Sequence, residues 1–143
     1  MVLHLVKLCV GIASVEELVN WRQTPEAQRL RPEEGINRHR TRMFPRRADE
    51  IVGQGSLYWV IGGAIRCRQA IVALTPGTDT DGRGFCDIMM DERIIRTRAQ
   101  PRRPFQGWRY LEAKDAPPDT DLSVVSAEGD AELAEELTYL GLL

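Results

Sequence analysis

The sequence has few residues that could support metal or thiol chemistry. It contains three cysteines and two histidines, all far apart, and none forms a C-x-x-C or H-x-x-x-H pattern. Because a structural zinc ion needs several such ligands in one place, we expect neither a metal site nor a cofactor. Lone cysteines in alternating apolar segments are usually buried core residues, so these three suggest reduced thiols in a cytoplasmic protein.

Long apolar runs are also missing. Glycine, arginine or lysine interrupts each apolar stretch well short of the ~20 residues that a membrane-spanning helix needs. The segment Met1–Gly11 carries His4 and Lys7 within an alternating pattern and has no end that resembles a cleavage site, which argues against a signal peptide. We therefore expect no membrane partner.

Lysine is scarce, and arginine supplies nearly all of the positive charge. Of the 19 basic residues, 17 are arginine. Arginine forms bidentate contacts with phosphate and stacks on aromatic rings, so this bias favours a surface that faces nucleic acid or another anion. A GC-rich genome, which encodes arginine readily, is the alternative explanation.

Charge is unevenly distributed along the chain. Up to position 111 there are 18 basic and 12 acidic residues, whereas the remainder holds one lysine and nine acidic residues. Leu133, Leu137 and Leu140 have the spacing of one helix face. A helix is therefore expected over Asp130–Leu140, and the acidic segment 119–143 is expected to pack as a helix on the domain. Alternatively, its carboxylates fold back onto the arginines and compete with phosphate.

Local patterns predict both helices and strands. Ser14–Glu17 is an S-x-x-E capping box, and Thr24-Pro25 combines a cap with proline at the first helical position, so each predicts a helix start. Strands are predicted at Leu3–Val10, Arg38–Phe44, Ser56–Ile61, Ala64–Leu74, Phe85–Met90, Ile94–Arg98 and Gly107–Leu111. A short helix is predicted at Arg46–Val52, a turn-rich loop at Pro76–Gly84 and a connector at Ala116–Thr120. Together these elements predict a single α+β domain over residues 1–143, with a small, strongly curved or closed, mostly antiparallel sheet and flanking helices.

The central hairpin joins aromatic residues to arginines. If Gly62-Gly63 forms a two-residue turn, Trp59 pairs with Arg66, and Arg68 lies two residues further on. Directly paired side chains share a face, so the pattern predicts Trp59, Arg66 and Arg68 together on one face and a core on the other. The alternative is a cation–π pair that merely covers the sheet.

Two further stretches are rich in arginine. Pro101–Leu111 mixes arginines with Phe105 and Trp108, a composition that can clamp phosphate and stack a base; alternatively, these two rings anchor the loop under the sheet. Arg38–Arg47 has arginines at alternating positions, which suits contacts along phosphates or a solvated face. The candidate residues for nucleic-acid or anion binding are Arg42, Arg46, Trp59, Arg66, Arg68, Arg103, Trp108 and Arg109.

Three segments carry a resemblance to a known family. TRMFPRRADE (41–50), GSLYWVIGGAIRCRQAI (55–71) and RPFQGWRYL (103–111) resemble a bacterial family known only as a domain of unknown function, over about residues 3–118. The order of elements is also similar to the PUA-like superfamily, with its ASCH and EVE branches. That resemblance implies a small barrel, and many of its members bind RNA or modified bases.

These observations lead to three functional hypotheses. The first is a nucleic-acid-binding module for RNA or a modified base, and the second is a small enzyme acting on a nucleotide or phosphorylated ligand. The third is a non-enzymatic interaction protein whose arginine face meets an acidic partner. Convergence of the arginines favours binding, whereas a deep pocket with Asp49 or Asp87 beside Cys67 favours an enzyme. The sequence assigns no catalytic residue and no oligomeric state.

Overall fold

A computed structural model describes residues 2–125, with side chains up to residue 120. Within these residues there are two helices, α1 (Val15–Arg22) and α2 (Pro25–Leu30). The strands are β1 (Leu3–Leu8), β2 (Ile36–Thr41), β3 (Ser56–Ile61), β4 (Ala64–Thr78), β5 (Gly84–Asp91), β6 (Ile94–Pro101), β7 (Trp108–Glu112) and β8 (Asp119–Val125). Single 3₁₀ turns lie at Ala48–Glu50 and Ala113–Asp115.

The strands form one curved, mixed sheet. Its order is β2-β5-β4-β3-β1-β7, and β6 pairs with both β4 and β8. Only β1 and β3 run parallel among the pairs described, and the remaining pairs are antiparallel. Over the described residues the sheet is not closed into a barrel. The predicted α+β class with a curved, mostly antiparallel sheet is therefore confirmed in its open form, and the structure gives no support to a PUA-like barrel.

Both predicted helix starts are confirmed. The Ser14 hydroxyl accepts a hydrogen bond from the Glu17 backbone N–H, as in a capping box, while the Glu17 carboxylate accepts one from the N–H of Ala13, the residue before the N-cap. Thr24 caps α2, whose first residue is Pro25. These caps hold α1 across one side of the sheet, with its apolar residues directed at the core.

Each side of the sheet buries its own apolar cluster. The main core lies between the sheet and α1 and includes Leu5, Trp59 and Ile88. The second, smaller core lies on the opposite side and comprises Val6, Tyr58, Val60, Ile65 and Leu111, with Phe105 packed against it. A side chain's position in one core or the other therefore identifies the side of the sheet on which it lies.

The hairpin turn is confirmed, but the pairing beyond it is not. Gly62 and Gly63 have φ angles of 59° and 81°, as a tight turn of this type requires. After two pairs the register shifts, and Trp59 lies opposite Cys67 instead of Arg66. The prediction that Trp59 and Arg68 share a face is wrong.

The physical reason for the shift is a β-bulge at Arg66. The Arg66 Nε donates to the Ile61 carbonyl at 2.6 Å, so this extra residue folds back over the turn instead of taking a place in the ladder. One extra residue moves the side chains that follow it on β4, Cys67 and Arg68 among them, to the other face. Trp59 is consequently buried beside Cys67, while Arg68 lies with Tyr58 on the second-core side.

Three predicted segments differ from the structure in detail. The loop predicted at Pro76–Gly84 is shorter, because β4 continues to Thr78 and Gly84 begins β5. The helix predicted at Arg46–Val52 is a single 3₁₀ turn. Asp119–Val125 is strand β8, so the first seven residues of the acidic segment are not helical. The helix predicted over Asp130–Leu140 lies outside the described residues.

Candidate functional site

A cleft opens between the two helices and β2. It consists of two adjoining cavities of about 260 and 320 Å³, and Trp21, Arg22 and Arg38 line both of them. His39 and Trp59 form part of the deeper wall. We refer to this space as the cationic cleft, because its described lining includes four arginines and no acidic residue.

Arg22 lies at the C-terminal end of α1 and reaches into the protein. One guanidinium nitrogen donates to the Gln69 side-chain oxygen at 3.3 Å, and its buried Nε has no hydrogen-bond partner among the described residues. Burial lowers the pKa of this guanidinium. Arg22 has no carboxylate partner among residues 2–120, so an anion in the cleft would meet a charge that no described group neutralises.

Gln69 organises the floor of the cleft. It is fully buried on β4, and its oxygen accepts hydrogen bonds from Arg22 and from the Trp59 indole N–H at 3.1 Å. Its amide nitrogen donates to the Asn37 side-chain oxygen and to the Asp91 carbonyl, both at 2.9 Å. Both ends of the amide are thus satisfied, and such a connected buried network holds its members in fixed positions.

His39 and Lys7 add two basic groups near the floor. The His39 ring packs edge-to-face on Trp59, with centroids 5.2 Å apart. Burial, assisted by the positive fields of Lys7 and Arg22, lowers the pKa of His39 to about 4, so this ring is neutral at pH 7. Lys7 pairs with Trp59 across β1 and β3, and burial lowers its pKa as well.

The rim of the cleft combines apolar surface with an exposed arginine. Val10, Trp21 and Leu30 are 77%, 40% and 51% exposed, which is unusual for large apolar side chains. Arg38 is exposed and has no carboxylate partner among the described residues, whereas Arg40 is held by Asp87. The arrangement suits a ligand that has both a negative charge and a flat apolar part.

The cleft offers few described groups for covalent or acid–base chemistry, namely Cys9 and the neutral ring of His39. Cys9 lines it, but burial raises the pKa of the Cys9 thiol to about 11, so the nucleophilic thiolate is scarce at pH 7. Asp87 is bound by Arg40 through two hydrogen bonds of 2.7 and 3.0 Å. Among residues 2–125 no group of three or more histidine, cysteine or acidic residues is placed to hold a metal ion.

Three of the six arginines among the eight predicted site residues are bound by other groups of the protein. Arg42 binds the Asp79 carboxylate at 2.8 Å, and Arg66 binds backbone carbonyls of its own hairpin. Arg68 binds Asp119 through two hydrogen bonds of 2.9 and 2.7 Å and also donates to a serine hydroxyl. These contacts stabilise the connections between strands.

The remaining five lie on different sides of the sheet. Trp59 is buried in the main core, and Trp108 is half-buried on the same side, where its indole N–H donates to the Met43 carbonyl at 2.8 Å. Arg109 pairs with Val6 and therefore lies on the second-core side. Arg46, Arg103 and Arg109 are exposed, without carboxylate partners among the described residues. The structure does not bring the eight residues together on one face.

The cleft residues were not identified from the sequence as one site. Arg38 and His39 belonged to a recognised basic run, but Arg22 and Gln69 are 47 positions apart and meet only through the fold. One signal in the sequence could have pointed to this site: a polar residue at an inward-facing position of a mostly apolar strand, such as Lys7 in LHLVKL.

The fold and the cleft define an α+β protein with an open curved sheet and a cationic cleft beside its helices. A family model described as "Protein of unknown function (DUF1489)" matches residues 5–143. The chain belongs to this family. The family resemblance predicted from the sequence is thereby confirmed, and the match extends beyond the predicted residues 3–118 through the acidic segment.

The comparisons with other proteins add nothing to this assignment. No curated protein and no solved structure matches the chain. Among the described residues, no helix is both long enough and apolar enough to cross a membrane.

Proposed function

We propose that this protein binds nucleic acid, with RNA or a modified base favoured over duplex DNA, and that the cationic cleft takes up the ligand. The observation that supports this proposal best is the pair Arg22 and Arg38 beside the exposed ring of Trp21, with no acidic residue in the described lining. A phosphate group would supply the negative partner that these two arginines lack, and a base would supply a flat surface that stacks on the indole.

The size and wall of the cleft favour a single-stranded ligand. Cavities of about 260 and 320 Å³ suit a nucleotide-sized group and are too small for a duplex. Stacking of a base on an aromatic side chain contributes ~1–3 kcal/mol, and Trp21 offers an exposed ring for it. We place this function in the bacterial cytoplasm, where the three free cysteines would stay reduced.

A free nucleotide is the second candidate ligand, and the same cavity volumes favour it. An enzyme that converts such a nucleotide would need an acid, a base or a nucleophile in the cleft, and its described lining offers only the protonated thiol of Cys9 and the neutral ring of His39. An acidic protein partner is the third candidate, and it would compete with RNA for the same arginines.

The test is binding of a fluorescent single-stranded RNA 12-mer at two salt concentrations. Affinity should fall steeply with salt, because each phosphate contact releases about 0.7 of a counterion from a single strand. Arg38→Gln should lower the affinity several-fold and reduce the salt slope by about 0.7. Arg83→Gln removes an exposed charge from the far end of the β4–β5 hairpin and is the matched control.

Two results would contradict the proposal. One is the absence of detectable RNA binding at low salt, and the other is binding that does not respond to salt. Equal losses from the Arg38 and Arg83 variants would also remove the cleft as the site, since only net charge would then matter.

A further inference from the structure

We infer that the ligand is a polynucleotide strand, which runs from the cationic cleft around the end of the sheet to a second contact surface. This surface, the arginine loop, comprises Arg102, Arg103 and Arg109 around Phe105. The inference rests on the proposed function of the cleft and adds the substrate class: a strand of several nucleotides, not a free nucleotide.

The arginine loop is a built structure and not a loose basic tail. Phe105 packs against the second core and anchors the loop, as one of the two alternatives from the sequence expected. The guanidinium carbons of Arg109 and Arg102 lie 5.0 and 5.9 Å from the centroid of this ring. The Arg102 backbone N–H donates to the Gly63 carbonyl at 2.9 Å, which ties the loop to the hairpin turn.

The three arginines keep their charge available. Arg109 donates to backbone carbonyls of Gln106 and Trp108 at 3.3 and 3.4 Å, contacts that orient a guanidinium without neutralising it. None of the three has a carboxylate partner among residues 2–120. Guanidinium groups that are preoriented but not neutralised are what phosphate recognition requires.

Strand directions place the cleft and the arginine loop at the same end of the sheet. β1 and β3 run parallel, so their C-terminal ends lie together, and the antiparallel β7 begins there. The segment Cys9–Ile12, which follows β1, lines the cleft, and the Cys9 N–H donates to the Val60 carbonyl at 3.0 Å. The arginine loop leads directly into β7 at this same end.

The two surfaces nevertheless lie on opposite sides of the sheet. Lys7, beside the cleft, pairs with Trp108 on the main-core side, whereas the next residue, Arg109, pairs with Val6 on the second-core side. A mononucleotide in the cleft cannot contact both. A flexible strand can pass around the end of β1 and β7, and single-strand sites in small β-domains span about 4–16 nucleotides.

The experiment measures how the affinity for RNA depends on the length of the RNA and on where in the protein a positive charge is removed. Arg103→Gln/Arg109→Gln removes two exposed charges from the loop, and Arg83→Gln/Arg98→Gln removes two exposed charges elsewhere that likewise have no carboxylate partner among the described residues. Affinities for a dinucleotide and for a 12-mer of single-stranded RNA are measured for the parent, both double variants and Arg38→Gln, each checked for folding by thermal unfolding.

We expect the loop variant to bind the 12-mer about tenfold more weakly, with the salt slope reduced by about 1.4, and to bind the dinucleotide as the parent does. Arg38→Gln should weaken both ligands. A loop effect that is absent, or equal for both lengths, overturns the inference while the proposed function stands. Failure of both RNAs to bind the parent removes the proposed function itself.

A last arm separates RNA from acidic protein. Polyglutamate of comparable charge should displace the 12-mer only weakly, because it lacks bases to stack on the cleft rim. Displacement as effective as that by unlabelled RNA would overturn the inference in favour of an acidic protein partner.

Discussion

Arg38 and Arg40 lie two residues apart on the outer face of β2, yet the structure treats them differently. The Arg40 guanidinium binds Asp87, its direct partner across β2 and β5, and lies 3.6 Å from the centroid of the Phe85 ring. Arg38 lies opposite Met89 across the same two strands, and no carboxylate among the described residues pairs with it. The difference between the two arginines is made by the neighbouring strand and not by their own strand.

The same contrast extends over the whole molecule. Around the β4–β5 hairpin and at β8, arginines such as Arg42 and Arg68 are bound to carboxylates that join one strand to another. At the end where β1, β3 and β7 meet, Arg22 and Arg38 of the cleft and the arginines of the arginine loop have no such partner among the described residues. A paired arginine must give up a carboxylate before it can bind phosphate, so the count of arginines is a poor guide to a binding surface.

The largest expected effect concerns the network that holds the cleft. Gln69→Leu removes partners from Arg22, Trp59 and Asn37, and leaving several buried polar groups unsatisfied costs about 4 kcal/mol of unfolding free energy. Urea denaturation measures the loss. Gln100→Leu, which removes one exposed hydrogen bond, is the control and should cost well under half as much. Equal losses would mean that the cleft arginine needs no such support.

The next effect is on stability against pH. Since the pKa of His39 is lowered from 6.5 to about 4 in the folded protein, the unfolded chain binds a proton more readily. The stabilisation is complete above pH 6.5 and declines as pH falls towards 4, by about 3 kcal/mol. His39→Phe should flatten this decline in urea unfolding measured across that window. His4, whose pKa is also lowered by burial, contributes a residual slope. An unchanged slope in the variant would contradict the assignment to His39.

A direct comparison of the two β2 arginines should separate binding from stability. Arg38→Gln is expected to weaken RNA binding about fivefold and leave the unfolding midpoint unchanged, because Arg38 has no described partner. Arg40→Gln should change RNA affinity less than twofold but lower the midpoint, because Asp87 is buried and would lose its cation. Fluorescence anisotropy measures the RNA affinity, and thermal unfolding of the same samples measures the midpoint. A larger loss of affinity in Arg40→Gln than in Arg38→Gln would contradict the assigned difference between the two arginines.

The smallest expected effect concerns the acidic C-terminal segment. Replacing Glu132, Glu135 and Glu136 with glutamine keeps the leucines of the predicted helix face intact. We expect RNA affinity to change less than twofold at low and at high salt, since leucine spacing favours a packed helix over a mask. A rise in affinity that occurs at low salt and disappears at high salt would instead show that this segment competes with phosphate.

Local chemistry in the sequence predicted the turns and caps, whereas long-range packing decided the site. Two adjacent glycines, Gly62 and Gly63, specify a tight turn from their own conformational freedom, and the structure has it. The bulge at Arg66 was not predictable in the same way. The bulge places Cys67 and Gln69 on the main-core side, where they contact residues of other elements that are distant in the sequence.

The cleft shows the same limit. Its basic residues on β2 were visible as a run, but the partner of each arginine depends on the register between β2 and β5. Without that register, the arginines at positions 38, 40 and 42 are equivalent in the sequence. The family match was predictable because whole segments carried it, while the pairing of a single guanidinium is decided by one residue across a ladder.

A missing side chain on β4 controls the surface of β2. Gly77 lies opposite Phe85, and a Cβ at Gly77 would overlap the Phe85 ring, so the ring occupies the space that a methyl group would fill. Arg40 rests on the other side of that ring while it binds Asp87. The contacts thus run from Gly77 to the Phe85 ring, from this ring to the Arg40 guanidinium, and from the guanidinium to the Asp87 carboxylate. Gly77→Ala would displace the Phe85 ring and remove its contact with the Arg40 guanidinium, so that Asp87 alone would hold this cation beside Arg38. The placement of the Arg40 guanidinium thus depends partly on a position that carries no side chain at all.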